Sequence, residues 1–289
     1  MASATGIVRT ADPWLRPVAD GGPAQLPAEL EFRVLGSVEV LRGGRLVALP
    51  GRTVMIILTG LLLSANQTVP NDTLIDWTWG ARLPARPRSA LHSGVSRLRR
   101  LVGEDVIETA PLGYRLRADG QRLDLVRFGE LVAAADGAAA DGRTEAALAS
   151  LDQALRLWRG VPLGNVDSPA LRRDVVPGLT ERYLRAVELR SDLCLRLGRY
   201  SAVVQELSVI APQHPFHEHM TGQLMVALAR SGRRADALAT YDRLRRALAQ
   251  DLGIDPGAAL QALQARILRA DRDWEVSDWP DQPGPLRGI

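Results

Sequence analysis

The spacing of apolar residues changes near residue 120, and this change most constrains how the chain can fold. Before it, short runs of alternating apolar and polar residues are mixed with helical patterns, whereas the spacing is helical throughout after it. We therefore expect an α+β domain at residues 31–120 and an all-α domain at residues 121–272. Residues 1–30 and 273–289 are rich in Pro and Gly or in acids, lack periodicity, and are expected to be disordered.

Composition excludes several chemistries. Every one of the 36 Lys and Arg residues is arginine, so a lysine-containing phosphate loop or a Schiff-base mechanism is ruled out. Cys194 is the single cysteine, which leaves no pair for a disulfide or a Cys-x-x-Cys metal site, and we expect it to be a buried apolar residue. No Gly-x-Ser-x-Gly, His-Glu-x-x-His or Gly-x-Gly-x-x-Gly motif occurs, so we expect no enzyme and no cofactor.

The distribution of apolar residues also bears on location. No apolar run has the length or position of a secretion signal, and no uncharged stretch is long enough to span a bilayer. We therefore expect a cytoplasmic protein with no membrane partner.

Local signals place the first elements. The Gly43-Gly44 pair between two apolar runs predicts a hairpin, and residues 52–65 are apolar almost all round, as in a helix buried in a core. Asn71 is the expected N-cap of a short helix that ends near Trp79.

Residues 88–102 are the most informative segment. At about 100° per residue, one helical stripe collects Leu91, Val95, Leu98 and Val102, which should be buried. The opposite face carries small hydroxyl side chains and arginines, with one histidine at its edge. No Asp or Glu occurs between Arg82 and Gly103, whereas an ordinary solvated helix mixes charges of both signs. This favours a face that binds a polyanion.

A second hairpin follows directly. The turn 110–113 separates two short apolar runs, and Arg115 and Arg117 alternate away from Tyr114 and Leu116. The order helix, short helix, basic helix, basic hairpin predicts a winged helix-turn-helix, with its basic helix in the major groove of double-stranded DNA. The candidate DNA-binding residues are Arg88, Ser89, His92, Ser93, Ser96, Arg97, Arg99, Arg100, Arg115 and Arg117.

The second half contains a weak repeat. Gly198-Arg199 and Gly232-Arg233 are 34 residues apart, the period of tetratricopeptide helix pairs, and Gly142-Arg143 lies 56 residues before Gly198. We expect an all-α, tetratricopeptide-like domain, which typically binds protein. Ser168-Pro169 should start one of its helices and Pro177-Gly178 should interrupt it.

Three histidines, His214, His217 and His219, have a spacing that could in principle offer metal ligands. Pro215 separates the first from the others and no cysteine is near, so we expect an inter-helix turn and no metal.

Together these residues resemble the Streptomyces antibiotic regulatory protein family, over residues 31–270. The matching stretches are Phe32-Arg33-Val34-Leu35-Gly36, Val38-Glu39-Val40, Leu74-Ile75-Asp76, Trp79-Gly80, Val95-Ser96-Arg97-Leu98-Arg99-Arg100, Gly113-Tyr114, Leu155-Arg156-Leu157-Trp158-Arg159-Gly160, Ser231-Gly232-Arg233, Ala235-Asp236-Ala237-Leu238 and Leu252-Gly253-Ile254-Asp255-Pro256-Gly257.

The resemblance implies a winged helix of the response-regulator type, followed by a bacterial transcriptional activation domain. It implies an activator of a secondary-metabolite (antibiotic) gene cluster that binds direct repeats near the −35 promoter region and recruits RNA polymerase holoenzyme through its sigma factor and core subunits. By position, Ser93, Ser96, Arg97 and Arg100 would contact DNA from the recognition helix and Arg115 from the wing.

A second copy of the chain would bind beside the first, and the protein would be associated with the nucleoid. The chain departs from the family at the wing, where Leu112-Gly113 replaces a Gly-Gly pair and the arginine usual near Ala110 is absent.

Two alternatives stay open at this point. A helical-repeat scaffold would bind protein and lack sequence-specific DNA binding, and a repressor would share the fold and bind DNA equally well.

Overall fold

The computed structural model describes residues 30–119 and 121–269. They are mostly helical, with two small antiparallel sheets on the N-terminal side. Contacts between residues divide them into two compact units. The first unit comprises residues 30–137 and 153–183, and the second comprises residues 138–152 and 184–269. The expected disordered segments lie outside the described residues, except that Leu30 is already the first residue of a strand.

The first sheet contains three strands: β1 (Leu30–Arg33), β2 (Glu39–Arg42) and β3 (Arg45–Leu46). Arg42 pairs with Arg45 across a two-residue loop, which confirms the predicted hairpin. Gly43 and Gly44 have φ values of 55° and 76°, a backbone region that glycine adopts without steric cost.

Three helices follow this sheet in the chain and pack against one another: α1 (Arg52–Leu63), α2 (Asn71–Trp79) and α3 (Pro87–Val102), with β4 (Thr68–Pro70) before α2. Helix α1 is buried from Ile56 to Leu63 without interruption, as its apolar composition predicts. The prediction that Asn71 caps α2 is wrong. Pro70 pairs with the second sheet and occupies the N-cap position, and Asn71 is the first helical residue. No side chain caps this end, because the proline side chain has no hydrogen-bond acceptor.

The second sheet has the order β4-β6-β5, with β5 (Ile107–Ala110) and β6 (Gly113–Leu116) following a 3-10 turn at Glu104–Val106. Ala110 pairs with Gly113, so the predicted second hairpin is confirmed, with Pro111 and Leu112 as its loop. Strand β6 is central, and a Cβ on Gly113 would lie 1.9 Å from the carbonyl oxygen of Val69, which explains why glycine is needed there.

The next three helices are α4 (Asp124–Ala140), α5 (Thr144–Arg156) and α6 (Pro169–Arg196). The Ser168 hydroxyl accepts a hydrogen bond from the backbone N–H of Leu171 at 3.2 Å, which confirms Ser168 as the N-cap of α6. The expected interruption at Pro177 is wrong, since α6 continues through it. A proline removes one backbone hydrogen bond, but Val175 and Leu179 on either side are buried, and their packing maintains the helix.

The second unit continues with α7 (Tyr200–Ile210), α8 (Glu218–Arg230), α9 (Arg234–Ala247) and α10 (Ala258–Arg269). Gly142, Gly198 and Gly232 have φ values of 74°, 69° and 78° and follow α4, α6 and α8. At each of these turns the backbone N–H after the glycine bonds a carbonyl five residues back, at 2.8 to 2.9 Å. The glycines identified from the repeat therefore make the same turn three times.

The three histidines occupy the turn and the helix start before α8. The Nδ1 atom of His217 lies 3.2 Å from a Glu188 carboxylate oxygen, and Nε2 of His219 lies 3.7 Å from Asp192. Across residues 30–119 and 121–269, no three potential metal ligands form a cluster. Within the same residues, no helix has the length and hydropathy needed to span a membrane.

Candidate nucleic-acid interface

Helix α3 has one buried and one exposed face. Its buried residues include Leu91, Val95, Leu98 and Val102, as the periodicity predicts. Gly94 is buried with them, and a Cβ at that position would lie 2.6 Å from the Cδ1 atom of Ile57. Sequence reasoning missed this role of Gly94, which allows α3 to approach α1 closely.

The exposed face of α3 carries most of the candidate residues. Its exposed members are Arg88, Ser89, His92, Ser93, Ser96, Arg97 and Arg100. Neither Arg97 nor Arg100 forms an ion pair among the described residues, and the Arg100 side chain only donates a long 3.4 Å hydrogen bond to the Ser96 carbonyl of its own helix. Both guanidinium groups are therefore free to bind an anion.

One carboxylate from a neighbouring helix approaches this face. Asp72 of α2 lies 3.7 Å from the Arg88 guanidinium, and both side chains are about four-fifths exposed. An exposed pair of this kind contributes only about 0–1 kcal/mol, so Arg88 readily exchanges Asp72 for another anion. The absence of acids within α3 is thus only slightly offset by α2.

Arg99 has different surroundings from the other arginines of α3. Its guanidinium is half-buried, donates to the carbonyl oxygen of Ile107 at 3.0 and 2.7 Å and to the Thr109 hydroxyl at 2.8 Å, and lies 6.0 Å from the centre of the Tyr114 ring. These contacts tie α3 to β5 and β6. The structure therefore places Arg99 between the helix and the hairpin instead of on the open face.

His92 also contacts the hairpin. Its Nδ1 atom lies 2.8 Å from the Tyr114 hydroxyl, and the tyrosine is buried. Burial raises the pKa of Tyr114, and the positive charge of Arg99 partly opposes that rise. Tyr114 therefore stays neutral and holds both His92 and Arg99 in position.

Arg115 and Arg117 converge on one carboxylate. Glu108 lies 3.6 Å from Arg115 Nε and 2.5 Å from Arg117 Nε, and all three side chains are about one-third exposed or less. Glu108 and Arg115 are direct cross-strand partners in the sheet. The structure thus brings these two candidates together with Glu108, a residue that the sequence analysis did not assign to the site.

Two further contacts position α2 within the first unit. The Trp77 indole donates a 3.0 Å hydrogen bond to Asp174, which lowers the pKa of that carboxyl, and the Ser168 hydroxyl donates to the Trp77 carbonyl. A tryptophan in a short polar helix signals that the helix packs against another segment, although its partner 97 positions away is not visible in the sequence.

A buried carboxylate joins the first sheet to α4. Asp124 accepts hydrogen bonds from the backbone N–H groups of Val34 and Leu35 at 2.8 to 3.1 Å and from Arg159 at 3.1 Å. Burial raises the pKa of Asp124, opposed by these backbone bonds and by Arg159. Asp124, at the start of α4, therefore holds Val34 and Leu35, the residues that follow β1, in position.

Sequence comparison matches both halves of the chain. The bacterial transcriptional activator domain matches residues 123–268. The regulatory protein DnrI of Streptomyces peucetius is 34% identical and is matched over 84% of this chain and 93% of its own length. The chain belongs to the Streptomyces antibiotic regulatory protein family.

Other relatives of this family member are longer. The regulatory protein AfsR of Streptomyces griseus is 38% identical over 89% of this chain, which spans about a quarter of that protein, 26%. The solved structure of Mycobacterium tuberculosis EmbR in complex with a low-affinity phosphopeptide matches with a TM-score of 0.78 and 37% identity, over 84% of this chain and 65% of that one. The likeness covers most of this family member in both sequence and fold.

Proposed function

We propose that this chain is a sequence-specific DNA-binding transcriptional activator. The observation that carries the proposal is the exposed face of α3, where Arg97 and Arg100 have no carboxylate partner among the described residues and alternate with small hydroxyl side chains. Small side chains permit close approach to a duplex, and guanidinium groups bind phosphates and the O6 and N7 atoms of guanine. The chain's relatives are named regulatory proteins, which supports the same class of function.

In this proposal residues 31–120 form a winged helix-turn-helix of the response-regulator type, with α3 in the major groove. Ser89, Ser93 and Ser96 lie against the bases, Arg97 and Arg100 bind phosphates or guanine, and Arg88 and His92 contact the backbone at the edges of the face. Arg99 acts as a positioning residue, because its donors are already engaged by Ile107 and Thr109. Arg115 and Arg117 reach phosphate only by leaving Glu108, so their share of the binding is smaller.

We further propose that residues 121–272 form a tetratricopeptide-like activation domain that contacts RNA polymerase holoenzyme. The three equivalent glycine turns support stacked helix pairs, an architecture that typically offers a surface to protein partners. One α3 reads only a few base pairs, so two copies of the chain would occupy direct repeats near the −35 region, spaced by about one helical turn of DNA or a multiple of it.

The biological setting in this proposal follows from the family. The protein would be cytoplasmic and associated with the nucleoid, would act without enzymatic activity or cofactor, and would activate a secondary-metabolite gene cluster. Measuring transcription from the bound promoter with and without the protein separates activation from repression.

Salt dependence tests the DNA contact itself. A duplex would be found by nuclease footprinting of the promoters next to the gene, and its affinity measured across a range of salt concentrations. Each phosphate contact that is lost flattens the log–log slope by about 0.9, so Arg100→Ala is expected to weaken binding and to flatten the slope by up to that amount.

Arg246→Ala is the matched control. Arg246 is also exposed on a helix and also donates to the carbonyl four residues back in its own helix, at 3.1 Å. It should leave both affinity and slope unchanged. An Arg100→Ala protein that binds like the wild type at every salt concentration would contradict the assignment.

A further inference from the structure

The loop of the β5–β6 hairpin, Pro111 and Leu112, carries no charge and is strongly exposed. Leu112 is 75% exposed, the second most exposed of the large apolar side chains described. The arginines of the same hairpin are paired with Glu108, so they do not form its outermost surface. The side chain that this hairpin presents at its end is therefore apolar.

The position of this loop is held by backbone contacts. The N–H of Asn71 donates a 2.9 Å hydrogen bond to the Leu112 carbonyl, and Gly113 pairs with both Ala110 and Pro70. A Cβ on Gly113 would lie 1.9 Å from the Val69 carbonyl oxygen, so β4 and β6 are tightly packed beside the loop. The backbone of Leu112 is thus held in place before binding, so that on binding only its side chain has to be ordered.

The loop is also next to the basic face of α3. Asn71, which holds Leu112, precedes Asp72, and Asp72 pairs with Arg88 at the start of α3. Farther along the hairpin, Tyr114 contacts His92. A duplex seated on the exposed face of α3 would therefore meet the hairpin loop as well.

We infer that Leu112 enters the minor groove beside the major groove occupied by α3. There it distinguishes A·T from G·C pairs by apolar contact with the groove floor, without hydrogen bonds. This inference rests on the proposed function. The minor groove is about 6 Å wide, and its floor lacks an amino group at A·T pairs, whereas guanine projects its N2 amine there. An apolar side chain fits against the groove floor at A·T pairs. At G·C pairs it leaves the guanine N2 amine without a hydrogen-bond partner. Other minor-groove proteins insert leucine in a comparable way.

The affinity contributed by Leu112 and that contributed by the arginines of α3 should respond differently to salt. A leucine displaces no counterions, so its contribution to affinity should not change with ionic strength, unlike that of Arg97 or Arg100. We therefore expect the hairpin to contribute a preference among base pairs and almost none of the salt-dependent part of the affinity.

The experiment uses the full chain and a pool of randomised duplexes. The wild type, Leu112→Ala and Leu112→Arg are each taken through rounds of binding and sequencing, and affinities are then measured on the duplex that the wild type selects. In that duplex the pairs on the flank that faces the hairpin are made A·T, G·C or inosine·C. Inosine·C has the major-groove edge of G·C without the minor-groove amine.

For the wild type we expect A·T and inosine·C flanks to bind equally and G·C flanks to bind more weakly. Leu112→Ala should bind the A·T flank roughly five- to tenfold more weakly, with an unchanged salt slope and a reduced flank preference. Leu112→Arg should steepen the slope by up to about 0.9. Leu46→Ala is the matched control, because Leu46 is 69% exposed in β3, just after the loop of the β2–β3 hairpin. This variant should have the affinity, flank preference and salt slope of the wild type.

The outcomes distinguish this inference from the function on which it rests. If the wild type selects no duplex, the proposed function fails and the inference fails with it. If the wild type selects a duplex but Leu112→Ala keeps its affinity and flank preference, the inference alone is overturned. Inosine·C flanks that bind like G·C flanks would likewise overturn the inference and leave the proposed function standing.

Discussion

The guanidinium of Arg99 donates two hydrogen bonds to the carbonyl oxygen of Ile107, at 3.0 and 2.7 Å. This contact joins the last turns of α3 to the first residue of β5, so Arg99 links the basic helix to the hairpin. Within a run of three successive residues, Leu98 is buried, Arg99 is a structural link and Arg100 is exposed. Two neighbouring arginines thus have separate roles, one in stability and one in the proposed DNA contact.

Replacing Arg99 should therefore affect stability more than electrostatic binding. Arg99→Gln removes charged hydrogen bonds to Ile107 and Thr109 and is expected to lower the free energy of unfolding by about 1.5–3 kcal/mol. The salt slope of DNA binding should stay at the wild-type value, because no phosphate contact is lost. Urea denaturation and a salt titration of binding measure the two effects, and a flattened slope would instead place Arg99 on the DNA.

Two glycines of the first unit should respond very differently to alanine. A Cβ at Gly113 meets the backbone of Val69, which has no room to move within the β4–β6 pair, so Gly113→Ala should destabilise by more than about 3 kcal/mol or prevent folding. At Gly94 the obstacle is the terminal methyl of Ile57, which a change of rotamer displaces, and alanine restores about 1 kcal/mol of helix propensity. We expect Gly94→Ala to stay within about 1.5 kcal/mol of the wild type in thermal or urea unfolding. Equal costs at the two sites would refute this expectation.

Arg159 partly neutralises the buried Asp124 carboxylate, and its removal should be costly. Loss of one partner of a fully buried pair costs about 3–5 kcal/mol, and because Arg159 is about one-quarter exposed we expect about 2 kcal/mol for Arg159→Ala. Arg33→Ala is the control, since Arg33 pairs only loosely with Glu31 at 3.6 Å and Glu39 at 3.7 Å from a more exposed position and should cost less than about 0.5 kcal/mol. Chemical denaturation of both variants decides between these values.

His219 should make the stability of the second unit depend on pH. Burial disfavours its charge, but the hydrogen bond to Asp192 and the charges of Asp192 and Glu188 outweigh burial and raise the pKa above 6.5. The folded form therefore binds the proton more tightly than the unfolded form. The stabilisation is complete below pH 6.5 and is lost as the pH rises through the higher pKa of the folded state.

Unfolding midpoints across this pH range measure the effect. His219→Gln removes the titrating group and should flatten the profile, whereas His214→Gln is the control, because no carboxylate pairs with His214 among the described residues. A wild-type profile that rises with pH through this window would contradict the sign.

Features that depend on near neighbours could be predicted from the order of the amino acids. Helical spacing assigned the two faces of α3, the Gly43-Gly44 pair located a hairpin, and the Gly-Arg repeats located three turns, because a backbone conformation or a helical face is decided within a few residues. The same locality explains why Ser168 was recognised as a cap.

Which charged groups are free depends instead on how distant segments pack together. Arg99 and Arg100 are adjacent, yet hydrogen bonds to β5 engage one and leave the other exposed, and Glu108 pairs with the arginines of the hairpin across the strands. Asp124 accepts bonds from residues 89 and 90 positions away. Pro177 stays helical because its neighbours are buried. In each case the deciding free energy comes from desolvation and packing against remote parts of the chain, which local sequence patterns do not specify.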